Sequence, residues 1–313
     1  MSRKLKSNII LLLCAAIWGS SFVAQAVGSE LIEPCTYIGI RNVLTVMCLT
    51  PLFFSFAAVK YKRSGIKLGE RESETHRKSE WSAECISYTV RHGCICGIFL
   101  FGGMYFQQVG IKYTTVAKSG FLTAMYIVIV PIIGLVLGRK LRKIVFPAVA
   151  IAVLGMYFLC ITDSFALSMG DTVTLLCALS YAFQIMSVDA CIEKANPLLL
   201  SITQFCVAAV LGIIGMVVFE NPNLTAILLA WASLAYSGIA SGAGGYTLQI
   251  FGQRYAEPTV AGIIMSLESV FSLLAGWAIL GQVCTPKQLL GCALMMGAIV
   301  LVQLPEKKQQ AKI

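Results

Sequence analysis

The chain has 313 residues, of which 58% are hydrophobic and 12% are charged, and its mean hydropathy is +0.81. Soluble domains carry about 25% charged residues, so this composition indicates an integral membrane protein and excludes a soluble enzyme or a nucleic-acid-binding domain. The net charge of +9 does not require a polyanionic partner, because membrane proteins keep their cytoplasmic loops basic. The partners expected are therefore the lipid bilayer and a small-molecule substrate, and no nucleic acid.

Apolar segments fill most of the chain, and each is long enough to cross about 30 Å of hydrocarbon at about 1.5 Å per residue. They cover residues 8–27, 36–59, 92–111, 115–138, 144–161, 169–190, 198–219, 227–250, 257–280 and 287–304. We therefore predict an all-α integral membrane protein with ten transmembrane helices. Most connections are short, which favours one compact membrane domain, as a monomer or a homodimer.

The basic residues predict the orientation of these helices. With the N-terminus in the cytoplasm, 20 of the 24 Lys and Arg residues lie on the cytoplasmic side, as the positive-inside rule requires. Both termini would then be cytoplasmic, and we expect the protein in the plasma membrane of a bacterium. The long hydrophilic segment at about 60–90 is predicted to be a cytoplasmic loop, and the sequence leaves open whether it is a plain tether or regulatory.

The fourth and ninth spans resemble each other. Thr115-Val116-Ala117 and Thr259-Val260-Ala261 each open a span after a Tyr, and each span closes with Leu-Gly. The repeating unit would then be five spans, and an odd number of spans inverts the second unit in the membrane. We predict two inverted five-helix repeats, residues 1–161 and 162–313. Chance likeness between apolar helices is the alternative.

Several short motifs resemble a known family. They are Ala16-Ile17-Trp18-Gly19-Ser20-Ser21-Phe22, Ile40-Arg41-Asn42, Ala117-Lys118-Ser119-Gly120-Phe121-Leu122-Thr123, Pro258-Thr259-Val260-Ala261 and Leu267-Glu268-Ser269-Val270-Phe271. Over nearly the whole chain the sequence resembles EamA-type members of the drug/metabolite transporter superfamily. The resemblance implies ten helices in two inverted repeats and the movement of small metabolites, often outward. The family usually has Glu-Pro where Glu268-Ser269 stands, and this departure predicts a straighter ninth helix.

Glu268 is the candidate for proton coupling. It lies 11 residues into its span, roughly 16 Å deep and near the bilayer midplane. An ionisable group at that depth is costly unless it faces a cavity or is neutral. Two interpretations remain open: a carboxyl that releases its proton when a cavity opens to water, and a permanently protonated structural group.

Arg41 and Lys118 lie near the outer ends of the second and fourth spans. Their long side chains can snorkel to the interface or form ion pairs. If they face the bundle instead, they would form a positive rim suited to substrate carboxylates. The sequence does not decide between these arrangements.

Other polar and aromatic residues are candidates for a cavity wall. Trp18, Ser21 and Gln25 recur at helical spacing in the first span, a face that lipid would not favour. Tyr126 and Gln184 are further candidate substrate-binding residues, and Tyr181 and Asp189 are similarly unusual in the sixth span, although packing or hydration alone would also explain such side chains. In the third span, Tyr105, Gln107 and Gln108 are interpreted as interfacial anchors.

A stripe of small residues marks the eighth span. It consists of Gly238, Ser241, Gly242 and Gly245, and such spacing lets two helices approach closely. We predict a helix-packing role for these four residues.

The function predicted from these features is a secondary transporter that exports or exchanges small polar or amphipathic metabolites by alternating access. There is no phosphate-binding Gly-x-x-x-x-Gly-Lys-Ser/Thr sequence, so an ATP-driven pump is not indicated. No cofactor is expected, and no metal, because the cysteines lack zinc-ligand spacing and the two histidines lie at or beside a polar loop. An intramembrane enzyme or a channel is the alternative.

Overall fold

The computed structural model describes residues 3–64, 82–113, 116–160, 169–280 and 285–303, and every element in these ranges is a helix. The helices are α1 (Arg3–Leu31), α2 (Pro34–Ser64), α3 (Ala83–Tyr113), α4 (Val116–Ala124), α5 (Tyr126–Val136), α6 (Val145–Cys160), α7 (Met169–Cys191), α8 (Pro197–Phe219), α9 (Leu224–Leu229), α10 (Trp231–Ala235), a π-helix (Tyr236–Tyr246), α11 (Thr247–Gln253), α12 (Pro258–Met265), α13 (Glu268–Leu280) and α14 (Pro286–Gln303).

The lengths and apolarity of these helices identify an integral membrane protein. Seven helical segments in the described ranges are long and apolar enough to cross a bilayer, namely α1, α2, α3, α4 with α5, α7, α8, and α12 with α13. Two more predicted spans, α6 and α14, are apolar but shorter. The predicted eighth span is divided among α9, α10, the π-helix and α11. The count of ten spans stays a prediction.

The predicted cytoplasmic loop at 60–90 extends too far into its flanking helices. Helix α2 continues to Ser64 and α3 begins at Ala83, while residues 65–81 lie outside the described residues. The first turns of α3 are held by buried contacts: Thr89 is buried, and its Oγ1 accepts a hydrogen bond of 3.0 Å from the Asn196 backbone N. The early part of α3 is therefore tied to the start of α8 and is not a free tether.

Helix packing relates the two halves of the chain. Helix α3 packs against α7 and α8, and the π-helix packs against α1 and α2. Helix α6 pairs with α14, and α2 pairs with α8. In each half, the third span thus contacts the first and second spans of the other half. This reciprocal pattern agrees with a repeating unit of five spans.

Glycines make the same close contacts in both halves. A Cβ at Gly93 or Gly97 would lie 2.7 Å from the side chains of Thr203 and Val207 in α8. Each of these glycines has a counterpart 145 positions later, at Gly238 and Gly242, which face α2 in the same way. Close approach of backbones requires small residues, so both third spans use glycine pairs in matching register.

The fourth and ninth spans are both broken near their middles. The first break is at Met125, whose N–H donates to Leu122 O at 3.3 Å, three residues back. The second break is at Ser266 and Leu267, where the Leu267 N–H donates to Ile264 O at 3.2 Å, again three residues back. Such tightened turns interrupt the regular α-helical bonds.

The expectation that Ser269 straightens the ninth helix is therefore wrong. Ser266 Oγ donates to Ile263 O at 2.8 Å, and Ser269 Oγ donates to Ser266 O at 2.6 Å. Serine hydroxyls that bond back to nearby carbonyls compete with the helical pattern and often bend a helix. The ninth helix therefore breaks beside these two serines although it lacks the proline that is usual in the family.

Candidate functional site

A nearly closed central cavity lies beside both helix breaks. It is lined by Trp18, Phe22, Gln25, Arg41, Gln107, Tyr126, Tyr181, Gln184, Ile185, Ser241, Tyr246, Gln249 and Glu268. Its volume is about 20 Å³, and one water molecule needs about 10–15 Å³ on this measure. In this conformation the cavity has room for about one water, so entry of a larger molecule requires the helices to move.

The two broken helices meet at the wall of this cavity. Glu268 is the first residue of α13 and only 3% exposed, and Tyr126 is the first residue of α5. The Tyr126 hydroxyl donates a hydrogen bond of 3.0 Å to Glu268 Oε1. Half-helices that begin at the midplane are a common way to build binding sites in transporters. The contact joins a predicted proton site to a predicted substrate residue.

Arg41 also faces the cavity and does not snorkel. Its side chain is 2% exposed, and its Cζ lies 5.9 Å from the centre of the Tyr37 ring. Among the described residues, no carboxylate forms an ion pair with Arg41, and its Nε has no hydrogen-bond partner. Arg41 is therefore a buried cation beside a cavity, and the part of the chain that the structure describes supplies no counter-ion in contact with it.

Two chains of hydrogen bonds connect the remaining polar walls. In one, Gln249 Nε2 donates to Gln184 Oε1 at 3.1 Å, and Gln184 Nε2 donates to Gln204 Oε1 at 3.1 Å. In the other, the Tyr246 hydroxyl donates to the Tyr181 hydroxyl at 3.2 Å, which donates to Gln107 Oε1 at 3.4 Å. These chains fix the orientation of amide and phenol groups around the cavity.

Several polar atoms of the lining residues have no partner among the described residues. These atoms are Trp18 Nε1, Gln25 Oε1, Arg41 Nε and Gln249 Oε1. A buried polar atom without a hydrogen bond costs about 1–3 kcal/mol, so such atoms favour a ligand or water that would satisfy them. The Trp18 and Tyr246 rings lie 4.6 Å apart and form an aromatic wall beside these atoms.

Of the predicted substrate residues, Ser21 is not brought to the cavity, and the position of the Lys118 side chain is not described. Ser21 is fully buried in α1, but it does not line the cavity. Helical spacing placed it correctly on an interior face without distinguishing the cavity from the neighbouring helix interface. Lys118 belongs to α4, and its side chain lies outside the described side chains.

The sequence interpretation of Gln107 and Gln108 as interfacial anchors is wrong. Both are buried, Gln107 lines the cavity, and Gln108 Nε2 donates to Gln25 O at 3.2 Å. Tyr246 was missed as a lining residue, whereas Tyr181, which is unusual in the apolar sixth span, does line the cavity. The spacing gives a further signal for Tyr181, because Trp18 and Tyr181 each lie 16 residues before the proline that opens the next helix.

The small-residue stripe lies within the π-helix and packs as closely as predicted from its spacing. A Cβ at Gly242 would lie 2.2 Å from Thr45 Oγ1, and one at Gly245 would lie 2.6 Å from Trp18 Nε1. Ser241 also lines the cavity. The stripe thus sets how near the walls formed by α1 and α2 come to the π-helix.

Contacts between the two halves close the molecule at both ends. At the end that holds the N-terminus, Arg139 forms an ion pair of 2.5 Å with Asp189, and Ser7 Oγ donates to Gly252 O at 2.6 Å. At the opposite end, Glu220 accepts hydrogen bonds of 2.7 Å from the backbone N–H groups of Cys35 and Thr36. The cavity is therefore enclosed between two separate sets of polar contacts, one at each end of the molecule.

Comparison with known proteins was made against families, curated sequences and solved structures. The model of the EamA-like transporter family matches residues 5–161 and 168–304. An uncharacterized transporter of Archaeoglobus fulgidus is 28% identical over 307 residues, which cover 96% of this chain and 87% of the relative. A protein of known crystal structure, 14% identical, superposes with a TM-score of 0.72 over 95% of this chain and 96% of its own, so the fold is shared.

Proposed function

The chain belongs to the EamA-like transporter family of the drug/metabolite transporter superfamily, and from this premise we propose that it is a secondary transporter for small polar or amphipathic metabolites. The observation that carries the proposal is the enclosed cavity between the two broken helices, lined by a buried base, a buried acid, amides and aromatic rings. In the proposed cycle, this site opens alternately to each side and exports or exchanges its substrate.

The proposed architecture has ten spans in two inverted repeats, residues 1–161 and 162–313. The family match to two consecutive segments, the reciprocal packing and the matching glycine pairs support this division. In the proposed orientation, the end with the N-terminus is cytoplasmic. A Ser73→Cys variant should then react with an impermeant maleimide only after cells are lysed, above the background of the native cysteines. Labelling in intact cells would contradict the orientation.

Alternating access would use the polar contacts at the two ends. Breaking the Arg139–Asp189 ion pair and the Ser7 contact would open the cavity to the side of the N-terminus. Breaking the Glu220 contacts with the start of α2 would open the opposite side. Both sets join residues of one proposed repeat to residues of the other, so a rocking motion of the repeats would break one set while keeping the other.

Glu268 is the proposed proton-coupling residue. It is a buried acid of the cavity wall, and among the described residues its carboxylate accepts a hydrogen bond from the Tyr126 hydroxyl. Burial favours the neutral carboxyl, while a hydrogen bond from a phenol favours the carboxylate. A group held between these two influences can exchange a proton when the cavity opens to water.

Transport by the purified protein in liposomes tests the proposal. A panel of aromatic and aliphatic acids, amides, amines, sugars and nucleosides would be tested for uptake driven by an imposed pH gradient and for exchange without a gradient. We expect protein-dependent, saturable movement of at least one class, accelerated by the same compound on the opposite side. Movement that is neither saturable nor accelerated in this way would indicate a channel, and no movement of any class would contradict the proposal.

A further inference from the structure

The central cavity contains one fully charged base and one ionisable acid. Of its lining residues, only Arg41 and Glu268 can carry a full charge near neutral pH. They do not form an ion pair with each other, and Glu268 is bonded to Tyr126 instead. The guanidinium is thus held by the fold without a carboxylate partner, although an acid lines the same cavity.

The surroundings of Arg41 are suited to an anion. Its Nε is buried and has no hydrogen-bond partner among the described residues, and a guanidinium binds carboxylates well because its N–H groups match their geometry. The indole N–H of Trp18 is a second donor in the same cavity without a partner among the described residues, and the unpaired amide oxygens of Gln25 and Gln249 can accept hydrogen bonds from donors elsewhere on the ligand. The Trp18 and Tyr246 rings, inclined at 52° to each other, supply an apolar aromatic wall for the rest of such a molecule.

Resting on the transport function proposed above, we infer that the transported compound is an organic anion with a compact apolar or aromatic body. Its carboxylate, or a similar anionic group, pairs with Arg41, and its body lies against the Trp18 and Tyr246 rings. Arg41 is then the residue that selects anions over the matching amides and amines.

Charge balance adds a consequence for Glu268. Uncompensated charge in a closed, low-dielectric cavity is strongly disfavoured. A neutral closed cavity requires Glu268 to be ionised when the cavity is empty, and to be protonated when an anion is paired with Arg41. Binding of one anion therefore takes up one proton from solution, which forms an O–H bond on the Glu268 carboxylate.

The other titratable groups near Glu268 do not alter this balance. They are Cys14 of α1, Tyr126 of α5, Cys177 of α7 and Tyr246 of the π-helix. Thiols and phenols are neutral near pH 7, so among the described side chains the charge around the bound ligand is set by Arg41 and Glu268 alone.

Calorimetric binding to the purified protein in detergent tests the inference. The probes are benzoate, phenylacetate and indole-3-acetate, each beside its amide and the amine of matching skeleton. We expect at least one anion to bind about 10-fold or more tightly than its amide and amine. Titrations in buffers of different ionisation enthalpy should show uptake of about one proton per anion. If no anion binds more tightly than its amide, the inference is wrong.

Variants assign the effect to the two residues. Arg41→Gln should weaken anion binding about 10-fold or more while leaving amide binding unchanged, and Arg41→Lys should restore part of it. Glu268→Gln should bind the anion without proton uptake. The matched control is Lys112→Gln, an exposed base paired with Glu33 at the periphery, which should change neither measurement. Unchanged anion binding by Arg41→Gln would overturn the anion site, and unchanged proton uptake by Glu268→Gln would overturn the role of Glu268 in charge balance.

Failure of the anion-site inference and failure of the proposed transport function would give different experimental results. An anion that binds through Arg41 but is not moved across liposomes would contradict the transport function and leave the anion site intact. Saturable transport of a neutral or cationic compound, with no preference for any anion, would support the transport function and contradict the anion site.

Discussion

The two halves of the chain share a backbone plan but differ in where they place charge. Arg41 lies seven residues after Pro34, which opens α2, and Gln204 lies seven residues after Pro197, which opens α8. Likewise, the second piece of one broken helix begins at Tyr126 and that of the other begins at Glu268. Each half thus supplies one ionisable group, and its counterpart in the other half is neutral. A two-fold scaffold can therefore hold a single asymmetric ligand.

The third spans of the two halves show a second difference. Helix α3 is one continuous helix of 31 residues, whereas its counterpart contains the 11-residue π-helix. Both pack closely through glycine pairs and both reach the cavity, α3 with the amide of Gln107 and the π-helix with Ser241 and Tyr246. Wider helical turns are frequent at functional sites. The difference indicates that packing is shared by the repeats while the binding surface is specialised.

The largest effect on transport is expected from replacing Glu268, the acid that the second half contributes to the cavity. Glu268→Gln keeps the shape and the Tyr126 contact but cannot titrate. Uptake driven by a pH gradient should fall about 100-fold, because proton transfer by a positioned group contributes factors of this order. Exchange without a gradient should continue. Full gradient-driven uptake by this variant in liposomes would remove Glu268 from the coupling step and leave a uniporter or an exchanger.

The matching glycines should be equally sensitive in both halves. Gly97→Ala and Gly242→Ala would each place a Cβ within 3 Å of the facing helix, and overpacking typically costs about 1–3 kcal/mol. Unfolding in detergent should show similar losses for the two variants. Gly244→Ala is the control, because its Cβ would meet only Ile239 O at 3.7 Å. A large loss in one half alone would show that the glycine contacts are not equivalent.

Replacing Tyr126, the neutral counterpart of Glu268 in the first half, should reduce transport less than replacing Glu268. Tyr126→Phe removes the donor to Glu268 and leaves the ring in place, and a hydrogen bond to a charged group is worth about 1.5–3 kcal/mol. We expect gradient-driven uptake to fall about 10-fold, with its pH dependence displaced, and binding of a transported compound to change by less. An unaltered pH profile in the liposome assay would show that Tyr126 does not influence the acid.

Much of this arrangement is readable in the sequence because polar side chains are costly in an apolar helix. Trp18, Gln25, Arg41, Gln184 and Glu268 were selected for that reason, and the structure places all five around one cavity. What they bind stays a prediction, since the sequence does not give the distances between spans.

The rest depends on packing that local sequence does not encode. Gln107 was misplaced because its depth was judged from the end of the apolar segment, whereas its burial depends on α7 and α1 packing around α3. The π-helix was not anticipated, because its glycine stripe also suits an ordinary α-helix. Tyr246 resembles a packing residue until the facing helices are known.

The smallest effect is expected where the ninth span departs from the family pattern. Ser269 is the second residue of α13, and the first four N–H groups of a helix have no intrahelical partner four residues back. Ser269→Pro should therefore change the free energy of unfolding by less than about 1 kcal/mol and leave transport intact, because proline is tolerated in a first turn. Ala275→Pro, in the interior of the same helix, should cost about 3 kcal/mol. Equal destabilisation by Ser269→Pro and Ala275→Pro in thermal unfolding would show that the break before Glu268 depends on the Ser269 hydroxyl and N–H. The breaks in the fourth and ninth spans would then be stabilised by different contacts.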